Sequence, residues 1–192
     1  MAAFRSMIRL PGLFLCLLIV CCASMLRIRV DADPRVDLSS YHTFGFLEPL
    51  TTDKVDYSTL LSLRLKEATR RELEKRGYRY TQSNPDLLVN FNVNIMQRQE
   101  LRADPAPVHY GYYRYRFGLY DPWPDYPYDI YTVNYKVGTL IIDLVDAARK
   151  QLVWQGLAEG HVTEKILNNP APAIDRSVTQ IFARYPIPPR KP

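Results

Sequence analysis

Leu87-Leu88-Val89-Asn90-Phe91-Asn92-Val93-Asn94-Ile95-Met96-Gln97 is the stretch from which the fold of this chain is read. Val89, Phe91, Val93 and Ile95 fall on one side of an extended chain and Asn90, Asn92 and Asn94 on the other, because successive strand side chains point to opposite faces. An apolar-in, polar-out alternation of this kind belongs to an antiparallel sheet covered on one side. The asparagine ladder is read as the wetted face of that sheet, with glycan or peptide binding as its alternative use.

Working outward, residues 133–145 and 152–162 read as two further strands joined by Asp146-Ala147-Ala148-Arg149-Lys150, a hairpin with a short loop. In the second of them Leu152, Trp154, Gly156, Ala158 and Val162 are expected on one face, and Gly160 lets a neighbour come close. Upstream, Leu26, Ile28 and Val30 alternate with Arg27, Arg29 and Asp31, and a second short strand follows at 42–47. Ser83-Asn84-Pro85-Asp86 is a turn cluster.

Two helices complete the reading. One runs over about 57–76, capped by Asp53 or Asp56, with Leu60, Leu61, Leu65, Ala68 and Leu73 as its apolar stripe. Gly77 stands at its left-handed end, and Arg70, Arg71, Lys75 and Arg76 suit the negative end of the dipole as a solvated face. The other follows Asn168-Asn169-Pro170 and buries Ile174, Val178, Ile181, Phe182 and Tyr185. The expected fold is α+β: a single antiparallel sheet with two helices packed on one face, plus a long Tyr/Pro-rich insert.

The start of the chain speaks about compartment. Among 192 residues there are three cysteines, Cys16, Cys21 and Cys22, all in the first 22. Arg5 and Arg9 precede an uncharged run from Leu10 to Leu26, the layout of a secretory signal and barely long enough for a membrane span. Ile19-Val20-Cys21-Cys22 resembles a bacterial lipobox. The resemblance implies a lipoprotein signal peptide over 1–21 and a diacylglyceryl thioether on Cys22. Cys21 stands where a small residue is usual and is the competing acceptor; an ordinary signal peptidase cutting after Ala23 is the plainer alternative. Ala23 beside the lipid site implies sorting to the outer membrane. A lipidated Cys22 leaves no thiol for disulfides, zinc sites or nucleophilic chemistry. An exported domain meets no nucleic acid, so the formal charge of +5 is read as solubilising surface or as affinity for anionic headgroups.

Chemistry is sparse. His42, His109 and His161 have no partner at metal-ligand spacing, and no nucleophile elbow or glycine-rich phosphate loop occurs. No metal, cofactor or catalytic residue is expected. Asp143, Asp146, Glu159 and Glu164 lie on or beside the second hairpin and could converge for general acid and base work. The structural alternative for Asp143 is a carboxylate bonding turn amides or pairing with Arg149. The insert at 105–132 has the unusual composition: nine of the fourteen tyrosines lie between Tyr110 and Tyr135. Tyr110, Tyr112, Tyr113, Arg114, Tyr115, Arg116 and Trp123 form the candidate binding surface, since aromatic faces with cationic neighbours stack on glycans, rest at membrane interfaces or dock proteins. A mobile or self-packed hairpin extension is the alternative.

Taken together, Asp31-Ala32-Asp33-Pro34, Leu38-Ser39-Ser40-Tyr41-His42-Thr43-Phe44, Glu72-Leu73-Glu74-Lys75-Arg76-Gly77-Tyr78, Asn84-Pro85-Asp86-Leu87-Leu88-Val89-Asn90, Gly138-Thr139-Leu140-Ile141-Ile142-Asp143-Leu144-Val145-Asp146 and Leu152-Val153-Trp154-Gln155-Gly156 resemble family 4136 of the domains of unknown function. The resemblance implies a bacterial lipoprotein facing the periplasm and carries no activity. The expected division is a signal peptide at 1–21, one domain at 22–185 and a Pro-rich basic tail at 186–192. The expected role is a non-enzymatic, outer-membrane lipoprotein that binds an envelope protein or glycan. The alternatives are a periplasmic cell-wall hydrolase using the hairpin carboxylates and an accessory subunit of an envelope transport system.

Overall fold

The computed structural model of the protein describes residues 26–54, 58–105, 115–116, 119–120 and 128–190. In chain order the strands are β1 (Arg27–Ala32), β2 (Thr43–Phe46), β3 (Arg79–Tyr80), β4 (Leu87–Pro105), β5 (Tyr115–Arg116), β6 (Leu119–Tyr120), β7 (Tyr128–Asp146) and β8 (Gln151–Val162). The helices are α1 (Leu60–Glu74), α2 (Glu164–Asn168) and α3 (Ala171–Phe182), with a 3-10 turn at Leu38–Ser40.

Six strands form one sheet in the order β1-β8-β7-β4-β2-β3, and β5 pairs with β6 separately. The expected all-antiparallel sheet is therefore corrected. β1, β8, β7 and β4 are antiparallel neighbours, but β2 lies parallel to both β4 and β3. The physical reason is α1: parallel strands need a crossover of a dozen or more residues, usually a helix, and α1 carries the chain from β2 to β3. The sheet is mixed and is accompanied by three α-helices, not by two on one face.

Thr59, not an aspartate, caps α1: its hydroxyl accepts from the Ser62 N–H at 3.1 Å. At the other end Gly77 has φ 93°, and the Tyr78 N–H reaches back to the Leu73 carbonyl, which completes the left-handed stop that the sequence predicts. Leu65, Ala68 and Leu73 of α1 meet Ile174, Val178, Ile181 and Phe182 of α3 in a core shared with Leu87, Val89, Phe91, Ile142, Leu144 and Trp154 of the sheet. The chain after α3 is tied down: Ile187 packs on this core, and the Arg190 N–H donates to the Lys75 carbonyl at 2.8 Å.

Arg76 departs from the solvated face expected of it. Its side chain is buried against the Glu72 carboxylate at 2.8 Å, while Arg70, Arg71 and Lys75 remain exposed. A second departure lies in β8. Leu144 pairs with Trp154 but Val145 pairs with Leu152, so Val153 is an extra residue. The bulge reverses the alternation: Val153 and Trp154 are both buried, whereas Leu152, expected inside, is 45% exposed.

Candidate functional site: an apolar groove and a projecting ribbon

Pairing register builds the first feature. Val93, Leu140 and Ala158 lie in one row across β4, β7 and β8; Ile95, Gly138 and Gly160 lie in the next. The second row has no side chains of its own at its centre, because two glycines face each other there. A Cβ on Gly138 would stand 2.6 Å from Val162 Cγ2, and one on Gly160 would stand 2.8 Å from Leu26 Cδ1. Neighbouring side chains thus drop into the space that the glycines leave. Leu61 and Leu65 of α1, Ile166 and Leu167 of α2 and Ile174 of α3 supply walls. The result is a groove of about 340 Å³ with no carboxylate, lysine or arginine on its lining. Leu26, the first described residue, stands on its edge.

The second feature is the continuation of β4 and β7. Their ladder runs from Leu87↔Asp146 to Pro105↔Tyr128, yet β8 accompanies β7 only as far as Lys136 and β2 accompanies β4 only to Val89. From Arg98↔Tyr135 onward no third strand joins the two among the described residues, and they form a ribbon about 25 Å long at ~3.3 Å per residue. On the face continuous with the core the apolar series ends at Ile95 and is followed by Gln97 and Gln99, so no core can form beneath it. Apolar character returns near the tip: Leu101 and Ile130 share that face diagonally, 74% and 71% exposed. On the opposite face the Tyr131 hydroxyl donates to Asp104 at 2.6 Å. The ribbon carries the aromatic segment at its end. There β5 and β6 pair Tyr115 with Tyr120 and Arg116 with Leu119. Tyr110, Tyr112, Tyr113, Arg114 and Trp123 lie outside the described residues, as do Cys22 and His109.

The hairpin carboxylates are dispersed. Asp143 and Asp146 line one hollow of about 310 Å³ with Asn90 and Lys150, but Asp146 is consumed by the turn. It accepts the Arg149 N–H at 2.7 Å, the Arg149 Nε–H at 2.8 Å and the Tyr41 hydroxyl at 2.7 Å. The Arg149 main-chain donor, then the Tyr41 hydroxyl, hold its carboxyl down at about 2, the reverse of what a general acid needs. Asp143 accepts from Gln155 at 2.8 Å, not from Arg149 as expected. Glu159 lies 3.7 Å from Arg98, and Glu164 pairs with Lys136 at 3.2 Å on the surface. His161 stacks on Tyr135 with ring centroids 4.6 Å apart. Among the described residues no group of three or more His, Cys, Asp or Glu is placed to hold a metal ion, and no helix is long and apolar enough to cross a membrane.

The groove and the free ribbon were not visible as sites in the sequence. The paired glycines and the glutamines after Ile95 were their signals, and both need the strand register to be understood.

Comparison with known proteins bears on the fold. No curated protein matches the chain. Among solved structures, a PDZ domain protein from Parabacteroides distasonis is similar at a TM-score of 0.55 and 14% identity, with 87% of this chain and 37% of that one covered. The chain thus spans little more than a third of that protein's length, and the likeness is one of fold. Two crystal forms of the PelC dodecamer from Paraburkholderia phytofirmans are 12% and 10% identical at a TM-score of 0.46, covering 87% of this chain and 100% of theirs. The family model described as "Domain of unknown function (DUF4136)" matches residues 28–187. That span begins at Ile28, the first buried residue of β1, and ends at Ile187, the last that packs on the core, so the chain belongs to the DUF4136 family.

Proposed function

We propose that this protein is a non-enzymatic lipoprotein of the bacterial envelope, anchored through Cys22, which presents the β4–β7 ribbon and its aromatic insert to an envelope partner. The ribbon carries the reading. A two-stranded hairpin is at best marginal in water, and free strand edges are templates for pairing with another chain. Here, among the described residues, both edges are unpaired beyond Arg98↔Tyr135, and an apolar pair stands exposed near the tip. Such an element is better suited to contact than to packing within its own domain. The partner is a protein or a glycan; tyrosine and arginine favour either.

Anchoring is supported by the basic and apolar leader and by the lipobox-like run ending at Cys22. β1 opens at Arg27, so the tether from Cys22 is short and holds the domain close to the bilayer. The hydrolase alternative gains nothing from Asp146, whose two oxygens already accept three hydrogen bonds from Arg149 and Tyr41.

The test has two arms. Cells fed radioactive palmitate should label the wild type and not Cys22→Ser; label that persists in the mutant removes Cys22 as the site. Deletion of 110–128 should abolish specific envelope co-purification, and an unchanged set of partners refutes the role of the insert.

A further inference from the structure

We propose that the groove beside Leu26 is an acyl-chain site, and that its occupant is one fatty acyl chain carried by the protein's own Cys22. The inference rests on the reading of Cys22 as a lipidated residue. Its structural support is independent of that reading.

Position comes first. The described chain begins at Leu26, and Leu26 itself borders the groove. Leu26 stands four positions after Cys22, a reach of about 13 Å at ~3.3 Å per residue. A membrane-length acyl chain on Cys22 is therefore delivered to this groove by covalent geometry alone. The insert, by contrast, leaves from the far end of the ribbon at Pro105 and Tyr128.

Chemistry agrees with position. The floor is built from Val93, Ile95, Leu140 and Ala158, with Val162 and Leu26 seated over the Gly138–Gly160 pair. Thr139, His161 and Ser177 are the only polar side chains on a lining that is otherwise aliphatic, with no carboxylate, lysine or arginine, so the groove offers little to a charged headgroup or to a peptide rich in polar groups. An acyl chain asks only for removal from water. The volume of about 340 Å³ lies at the small end of the range for ligand clefts, about 300–1,000 Å³, which suits one chain and not several.

Size also gives the site a purpose. Away from a bilayer, the groove shelters one acyl chain that would otherwise face water and drive aggregation. At a bilayer, all the chains on Cys22 can be buried together, so the membrane outcompetes the groove and the anchor is released.

The experiment uses full-length protein from cells grown with a diazirine-bearing palmitate. The acylated protein is moved from detergent into detergent-free buffer and irradiated, and crosslinked peptides are mapped by mass spectrometry. The expected result is label on the Cys22 peptide and intramolecular crosslinks to residues 164–177. Ala173→Trp, which fills the groove, should lower those crosslinks at least fivefold. Should that variant not fold, unlabelled palmitate added to the wild type should compete the crosslinks instead. Label on Cys22 without crosslinks in 164–177 overturns this inference and leaves the lipoprotein reading standing. Crosslinks that join isotopically heavy to light chains assign the groove to a second copy and overturn it likewise. No label on Cys22 overturns both.

Discussion

Arg76 donates from Nη2 to the Phe182 carbonyl at 2.6 Å, so a residue just past the end of α1 caps the end of α3. The same guanidinium donates to the Glu72 carbonyl and carboxylate at 2.7 and 2.8 Å and to the Ile187 carbonyl at 3.1 Å. It also lies over the Phe182 ring, 5.4 Å from the centroid. A buried charge persists only when its donors are used, and here one side chain joins α1, α3 and the tail. Arg76→Ala leaves the Phe182 and Ile187 carbonyls without this donor and the buried Glu72 carboxylate with Lys75 alone, at 2.7 Å, as its partner, and should cost about 2–3 kcal/mol. Urea unfolding checks it. A loss below about 1 kcal/mol, the usual worth of an exposed ion pair, shows that the pair is not buried in solution.

Gly156 of β8 faces α3, and a Cβ there would strike Ile181 Cγ2 and the Trp154 ring. Both neighbours are fully buried, so neither can swing away. Gly156→Ala should therefore destabilise by about 1–3 kcal/mol through overpacking. Gly160→Ala should cost less, since its Cβ meets only the end of Leu26. A thermal melt comparing the two variants decides, and equal melting temperatures would contradict the packing.

Much of this architecture was legible. The β4 alternation, the α3 stripe and the Gly77 stop depend on local periodicity and on one backbone conformation, and all three stand where the residues put them. The parallel pairing of β2 was not. Phe44 and Phe46 are too few to signal direction, which only the strand–helix–strand order of β2, α1 and β3 carries. Nor was the Val153 bulge, because one extra residue leaves composition untouched while turning Leu152 outward. Arg76 looked like its exposed neighbours; only the meeting of α1 with α3 distinguishes it. For the site, the aromatic cluster was visible as composition, whereas the groove needed the Gly138–Gly160 register.

Acid sensitivity follows from Asp146. Its folded pKa of about 2 lies below the ordinary 3.8, so the folded state favours the carboxylate. The sign is that of a depressed acid: its contribution is complete above about pH 4 and is lost as pH falls towards 2. Asp146→Asn should lower the urea midpoint at neutral pH and shrink the drop between pH 4 and 2. Asp86, held down by the His42 main-chain N–H first, and then by that of Thr43, adds to the wild-type slope and should survive in the variant. An acid limb unaltered by Asp146→Asn contradicts the Tyr41–Asp146–Arg149 network.

The ribbon yields the prediction that separates binding from folding. Leu101 and Ile130 touch no core and are among the most exposed apolar residues described. Replacing both with serine should leave stability within about 0.5 kcal/mol of the wild type, as for surface sites generally. If the pair serves only to pad the ribbon, nothing else changes. If it anchors a partner, truncation of a central apolar contact typically costs more than 1 kcal/mol of binding. Co-purified envelope partners should then fall at least fivefold at equal expression. The double variant and the 110–128 deletion remove different parts of the same projection, so partners lost in both map to the ribbon as a unit. Partners lost only with the deletion map to the aromatic segment, and the apolar pair is then excluded from the contact.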